Sequence, residues 1–207
     1  MPYGGEAAKW PRRPGPHATA SSRLILRAAR EELAEHGYGG STVRGVADRA
    51  GVNTSLVHYY FGSREGVLTA ALREAAHLLT AGWDDTGAAP DDRSRGGAEL
   101  LRRELPLWES PEWRSAVLAL IRSSVTHEAA GRYLADVVRR VSPGATGPCP
   151  HTVMIGAQLI GLMVVRHITP VEPLASADLD GLITLLAPVA ERLLAGHGEH
   201  PARPSGP

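Results

Sequence analysis

The stretch Ser41-Thr42-Val43-Arg44-Gly45-Val46-Ala47-Asp48-Arg49-Ala50-Gly51-Val52-Asn53-Thr54-Ser55-Leu56-Val57-His58-Tyr59-Tyr60-Phe61 decides the fold. Its apolar spacing predicts two short helices around a glycine-bearing turn. Ser41 is placed to cap the first, which runs to about Ala50, and Asn53 to cap the second, from Thr54 to about Tyr60. Gly51 can take the turn between them without a Cβ penalty. Ala47 faces the inside of the corner, where a larger side chain would push the helices apart. Val43, Val46, Val52, Val57 and Phe61 can pack this pair against a preceding helix. After Gly62, Ser63 can cap a longer helix reaching about Gly82. A short helix held in this way can enter a DNA groove while its flanks rest on phosphate.

The same packing leaves Thr54, Ser55, His58 and Tyr59 facing outward. Their hydroxyls and imidazole can donate to and accept from base edges. Thr42, Arg44, Asn53, Tyr60 and Arg64 complete the expected DNA contacts. Thr42, Tyr60 and Arg64 are read as phosphate anchors, two of them beside helix N-terminal amides.

Working outward, Leu24, Ala28 and Leu33 recur at helical spacing from Ser21, with Glu31, Glu32 and Glu35 on the opposite side. Ser21 or Ser22 can cap that helix, and Gly37 can end it in a left-handed conformation with Tyr38 folding back. Residues 1–20, with four prolines and no periodicity, read as a disordered arm whose Lys9, Arg12 and Arg13 could reach DNA. Residues 84–96 form a polar loop. Beyond it lie helical patterns from about Ala98 to Trp108, Ser110 to Thr126, His127 to Val141, His151 to Ile168, and Ser176 or Asp178 to Ala195. The expectation is an all-α chain of about nine helices. It divides into an arm (1–20), a helix-turn-helix domain (21–66), a ligand-binding and dimerisation domain (67–196) and a disordered tail (197–207).

The formal net charge of zero, taken alone, argues against a nucleic-acid binder. Its distribution does not. Residues 1–70 hold nine Lys/Arg against six Asp/Glu, and the remainder thirteen against sixteen, so the basic excess lies with the motif. A single cysteine, Cys149, excludes an intramolecular disulfide and a thiolate cluster. Nine histidines show no metal-ligand spacing, so neither a metal nor another cofactor is expected. The apolar run from Val153 to Val165 reads as too short to cross a bilayer, and a cytoplasmic protein without a membrane partner is expected. Paired carboxylates, a Gly-x-Ser-x-Gly elbow and a phosphate loop are all missing, which argues against an enzyme.

The segment from Gly51 through Asn53, His58-Tyr59-Tyr60-Phe61-Gly62-Ser63-Arg64 and on to Leu68 resembles the recognition helix and following helix start of the TetR family of transcriptional regulators. The preceding Gly37-Tyr38-Gly39-Gly40-Ser41-Thr42-Val43-Arg44-Gly45-Val46-Ala47 resembles that family's first helix end and second helix. The resemblance covers residues 22–75. Weaker likeness to actinobacterial members lies around 156–162 and 171–175. Thr54, Leu56 and His58 depart from common family choices, so an operator cannot be borrowed from relatives.

The resemblance implies a homodimeric repressor of a palindromic DNA operator, released by a small-molecule effector. It implies that His77, Trp83, Trp108, Trp113, His127 and Tyr133 surround a ligand cavity, which would suit an apolar or aromatic molecule. Each of these is equally readable as an ordinary core side chain. Pairing is expected through Gly156, Leu159, Gly161 and Leu162 with Leu182, Leu186, Val189 and Leu193. The helix from His151 is apolar nearly all round and the last helix carries too broad a stripe for one neighbour, so two copies can build a four-helix bundle. A buried hairpin within one chain is the alternative. A regulator without a ligand, controlled by abundance or a protein partner, is the second functional reading.

Overall fold

The computed structural model describes residues 16–85, 96–140 and 149–196. Among them nine α-helices follow one another: α1 (Pro16–Gly40), α2 (Val43–Ala50), α3 (Thr54–Phe61), α4 (Arg64–Asp85), α5 (Gly97–Glu109), α6 (Pro111–Ser124), α7 (Glu128–Arg140), α8 (Pro150–Met163) and α9 (Leu179–Gly196). The all-α architecture expected from the periodicity is observed, with its elements in the expected order. One starting point differs by several residues. Helix α1 begins at Pro16, so Ala18, Ala20 and the expected caps Ser21 and Ser22 lie within it. The rest of the expected arm and the tail from residue 197 lie outside the described residues. So do most of the loop after α4 and residues 141–148.

Apolar residues at three- and four-residue spacing build the core. Ile25, Ala28, Ala29 and Leu33 of α1 meet Val67, Leu68, Ala71, Leu72, Ala75 and Leu79 of α4, all essentially inaccessible. Trp113, Ala116, Val117, Ala119 and Leu120 of α6 join the same cluster. Each large aliphatic side chain so buried contributes roughly 1.5–3 kcal/mol relative to exposure. The short α2 and α3 add Val46, Ala47 and Val57, which matches the packing read from the sequence. Helix α4 runs uninterrupted across the expected boundary at residue 66, so head and body share one continuous helix.

One buried cation crosses that core. Arg30 of α1 is 3% exposed; its Nη1 donates to both carboxylate oxygens of Glu74 on α4, at 3.1 and 3.0 Å, and its Nε to Ser115 of α6 at 3.0 Å. A guanidinium can be held so only when its donors are met. Helix α8 passes directly into a π-helical turn, Val164–Ile168. There Arg166 donates to Glu109 of α5 at 2.8 Å and to the Ala177 carbonyl at 2.9 Å, while His167 Nε2 stands 3.1 Å from Glu109. The segment Pro150–Ile168, 19 residues of mean hydropathy 1.3, is long and apolar enough to cross a membrane, contrary to the sequence reading; one third of it is buried against the rest of the protein.

Candidate nucleic-acid interface

The turn before α2 differs from the expectation in one residue. Thr42, in extended backbone, is the cap, and its Oγ1 accepts from the Gly45 amide at 2.9 Å. Ser41 is buried instead and donates its hydroxyl to the Gly37 carbonyl at 2.7 Å. Gly37 itself has φ 65 with ψ 179, a positive φ as expected but not the left-handed helical region. Gly51 adopts φ 64 and ψ 34, and Asn53 caps α3 by accepting from the Leu56 amide at 2.8 Å. These caps fix the angle between α2 and α3 from short-range sequence alone.

Helix α3 then buries Val57 and leaves Thr54, Ser55, His58 and Tyr59 exposed, Tyr59 to 66%. Tyr60 is half-buried and meets Tyr59 edge-on, with centroids 5.2 Å apart, which holds the outer ring away from the helix. His58 Nδ1 lies 3.1 Å from the Gly62 carbonyl. A carbonyl can only accept, so that nitrogen carries the proton and a neutral ring offers Nε2 as an acceptor. Thr42 and Arg44 are exposed on the flank. Arg44, with an 87% accessible side chain, is loosely paired with Asp48 at 3.8 Å.

Three residues from the expected DNA contacts have other work. Arg64 is turned inward: Nε donates to the Ser41 carbonyl at 2.9 Å, Nη2 to the Tyr38 and Gly39 carbonyls, and the guanidinium lies 5.2 Å from the Tyr38 ring centre. It ties the start of α4 to the end of α1 rather than presenting itself to phosphate. Asn53 commits its oxygen to the helix cap. Tyr60 packs against Phe61.

The sequence reading also missed what seats α2. Glu32, assigned to the outward polar face, is 5% exposed and accepts from Arg49 Nε at 2.8 Å and weakly from the Thr42 amide at 3.4 Å. A Cβ at Gly45 would stand 2.1 Å from the Glu32 carboxylate, so any other residue there would have to displace that carboxylate from its place under α2. The hydrogen bond from Glu32 raises the Arg49 guanidinium above its ordinary pKa, and Arg49 in turn holds Glu35 below the usual carboxylate range. The sequence signal was a small residue, Gly45, on the face of α2 that meets α1.

Five of the six expected ligand residues have described side chains. His77 is exposed on α4, Trp108 and Trp113 are buried in the core, and Tyr133 is half-buried against it. His127 stacks on Tyr38. The Trp83 side chain lies outside the described residues. A cleft of about 360 Å³ opens between α1 and the α5–α6 junction, with Arg27, Arg30, Glu31 and Ser110 in its wall, and contains none of the six. The buried face of α5 does carry an unannounced charge: Glu104 is wholly inaccessible, receives Arg103 Nε at 2.9 Å, and its Oε2 completes no hydrogen bond. Burial pushes its pKa up to about 7 against the opposing pull of Arg103. Trp108, one turn along, is likewise buried and joins Arg103 in opposing that rise.

The expected pairing residues divide into two sets. Gly156, Leu159, Leu162 and Leu182 are buried within the chain, and their side of α8 and α9 forms the protomer's own core. Gly161 and Val189 are exposed, and Leu186 and Leu193 half-buried. The free apolar face comprises Met154, Ala157 and Gly161 on α8 with Leu185 and Val189 on α9. A helix apolar all round does not show which side its own chain covers, and of the expected set Gly161 and Val189 lie on this open side.

Two family descriptions match consecutive parts of the chain. Bacterial regulatory proteins of the tetR family match residues 25–71, and the tetracyclin repressor-like C-terminal domain matches residues 95–194. The chain belongs to the TetR family. Among curated relatives, the HTH-type transcriptional repressor AcnR of Corynebacterium glutamicum is 30% identical over 106 residues, covering 51% of this chain and 52% of the repressor. The HTH-type transcriptional regulator BetI of Burkholderia cenocepacia is 36% identical over 76 residues, covering 34% of this chain and 38% of the relative. This TetR-family chain therefore matches about half the length of AcnR and less of BetI. A TetR-family regulator from Streptomyces coelicolor of known structure is 28% identical, covering 90% of this chain and 99% of its own at a TM-score of 0.52. A Rhodococcus structure, 24% identical with a TM-score of 0.62 over 84% of this chain and 99% of its own, shares the fold. The relatives named here are regulators, and none is named as an enzyme.

Proposed function

We propose that this TetR-family chain is a homodimeric, cytoplasmic transcriptional regulator that grips a roughly palindromic operator with α3. The observation that carries the reading is the contrast between the two sides of that helix. Val57 is buried and Gly51, Asn53 and Arg64 brace the ends, while Thr54, Ser55, His58 and Tyr59 stand exposed together. Rigid support beneath and free donors and acceptors above is what groove readout requires. Thr42 and Arg44 hold the backbone on one flank.

The exposed strip Met154, Ala157, Gly161, Leu185 and Val189 supports pairing of α8 and α9 with the same helices of a second copy. Such a two-fold axis sets two copies of α3 about one DNA turn apart. Repression relieved by a small molecule is the regulatory mode we favour, with α4 as the shared element that would tilt the head. It requires an effector with different affinity for the two tilts. The burial of Trp108 and Trp113 in a packed core favours, as a second reading, a regulator that needs no effector.

Selection of sequences from random duplex DNA by the purified protein tests the proposal. Enrichment of an inverted repeat is expected, with binding lost on Ser55→Ala/His58→Ala double substitution at unchanged stability. Failure to enrich any sequence overturns DNA recognition.

A further inference from the structure

The end of α1 is held between two partners from opposite halves of the molecule. From the head comes Arg64, the first residue of α4, bonded to three carbonyls of residues 38–41 and lying 5.2 Å from the Tyr38 ring centre. From the body comes His127, whose ring centroid lies 3.8 Å from that of Tyr38 at an angle of 33°. His127 sits at the junction between α6 and α7, where its amide bonds to Ser123 at 2.9 Å and its Nδ1 accepts from the Ala130 amide at 3.3 Å. The same corner is in close contact one residue earlier. A Cβ on Gly37 would approach the Arg122 carbonyl to 3.1 Å, and Gly37 already adopts a positive φ that penalises any other residue.

We propose that the Tyr38–His127 stack is the positioning contact that fixes the angle of the reading head on the body, with Arg64 carrying that angle into α4. The inference rests on the DNA-binding reading. The physical reason is the economy of the junction. Helix α4 alone can flex about its length, whereas an aromatic stack locked to the α6–α7 corner at one end and to a guanidinium at the other offers a single seat. Both rings are tethered by backbone bonds, so losing the stack frees the seat rather than the fold. Tyr38 and His127 act on the head through Arg64.

The test compares His127→Ala, His127→Phe and His127→Asn with the wild type. Operators with the half-sites moved apart or together by one or two base pairs are titrated by fluorescence anisotropy. The wild type is expected to prefer one spacing by about tenfold or more, a typical coupling strength, and His127→Ala to discriminate less than about threefold. His127→Phe keeps a ring on Tyr38 and is expected to restore the preference; His127→Asn keeps a cap for the Ala130 amide but no stack and is not. In the free protein, hydrogen exchange of the Ser41 and Val67 amides is expected to quicken in His127→Ala and not in His127→Phe. Unchanged spacing preference together with unchanged exchange overturns the positioning role. A wild type that binds no DNA overturns the DNA-binding reading, and the exchange measurement then judges the contact by itself: exchange unaffected by His127→Ala overturns it.

Discussion

Replacing Glu104 by glutamine should change the pH dependence of stability in a direction the structure dictates. The carboxyl is wholly buried on α5, and desolvation raises its pKa from 4.5 to about 7 in spite of Arg103. The native state therefore keeps this proton over a range in which the unfolded chain has released it. The contribution to stability is present in full below pH 4.5 and is lost as pH rises through about 7. The gap between those two values corresponds to roughly 3 kcal/mol. Glutamine has the same shape and no charge, so the variant should match the wild type at the acid end and exceed it by about that amount above neutrality. For a chain of this length the difference amounts to roughly 6–12 °C in melting temperature. Guanidinium unfolding of both proteins at a fixed concentration, across that pH window, measures it directly. Trp108 lies one turn away, so its fluorescence should report the same midpoint in the wild type and none in the variant. Stability curves that stay parallel from acid to alkaline pH would refute the argument.

Three further outcomes separate the roles assigned to individual residues. Arg44→Ala should lower the slope of log affinity against log salt by about one, as loss of one phosphate contact does, whereas Arg64→Ala should leave the slope unchanged and cost roughly 1–3 kcal/mol of stability. A Cβ at Gly161 would meet no other part of the described residues within 4 Å, so in Gly161→Arg the protomer should stay folded while light scattering falls from twice 22.0 kDa to 22.0 kDa; an intact dimer would remove α8 from the interface. Tyr59→Ala, at a ring 66% exposed, should change stability by less than about 0.5 kcal/mol and weaken or relax operator selection by about 1–3 kcal/mol.

Legibility tracked the range of the interaction. Gly51, Asn53 and Gly62 announce their turns because a left-handed residue and a cap are local necessities, and the structure has each of them in place. The buried set Val46, Ala47 and Val57 was equally readable, since periodicity records which side of a short helix is covered. The choice of Thr42 over Ser41 as cap was not, because it depends on Ser41 finding the Gly37 carbonyl across the preceding turn. Glu32, Arg30 and Arg64 were opaque for a stronger reason. Each is a charged residue whose burial makes sense only through partners on another helix or a carbonyl far along the chain. The face of α8 left for pairing was likewise hidden, as a helix apolar on every side does not record which neighbour arrives first.

These charged residues also alter what the basic excess of the N-terminal region can mean. Within the head, Arg30 is bonded to Glu74, Arg49 to Glu32 and Glu35, and Arg64 to backbone carbonyls, so three of its guanidinium groups already serve the fold. Arg27 and Arg44 are exposed, but each stands beside a carboxylate one turn along its helix. Among these five described arginines, therefore, few guanidinium groups are left unpaired for duplex DNA, where nonspecific affinity scales with the phosphates neutralised. Recognition must then depend more on the hydrogen-bonding surface of Thr54, Ser55, His58 and Tyr59, and on two heads binding at once. The second head binds at the high effective concentration set by the first, provided that the heads are held at the right separation. That condition is what gives the junction of Tyr38, Arg64 and His127 its importance: where the described arginines of the head are committed to carboxylates and carbonyls, geometry has to supply affinity that their charge does not.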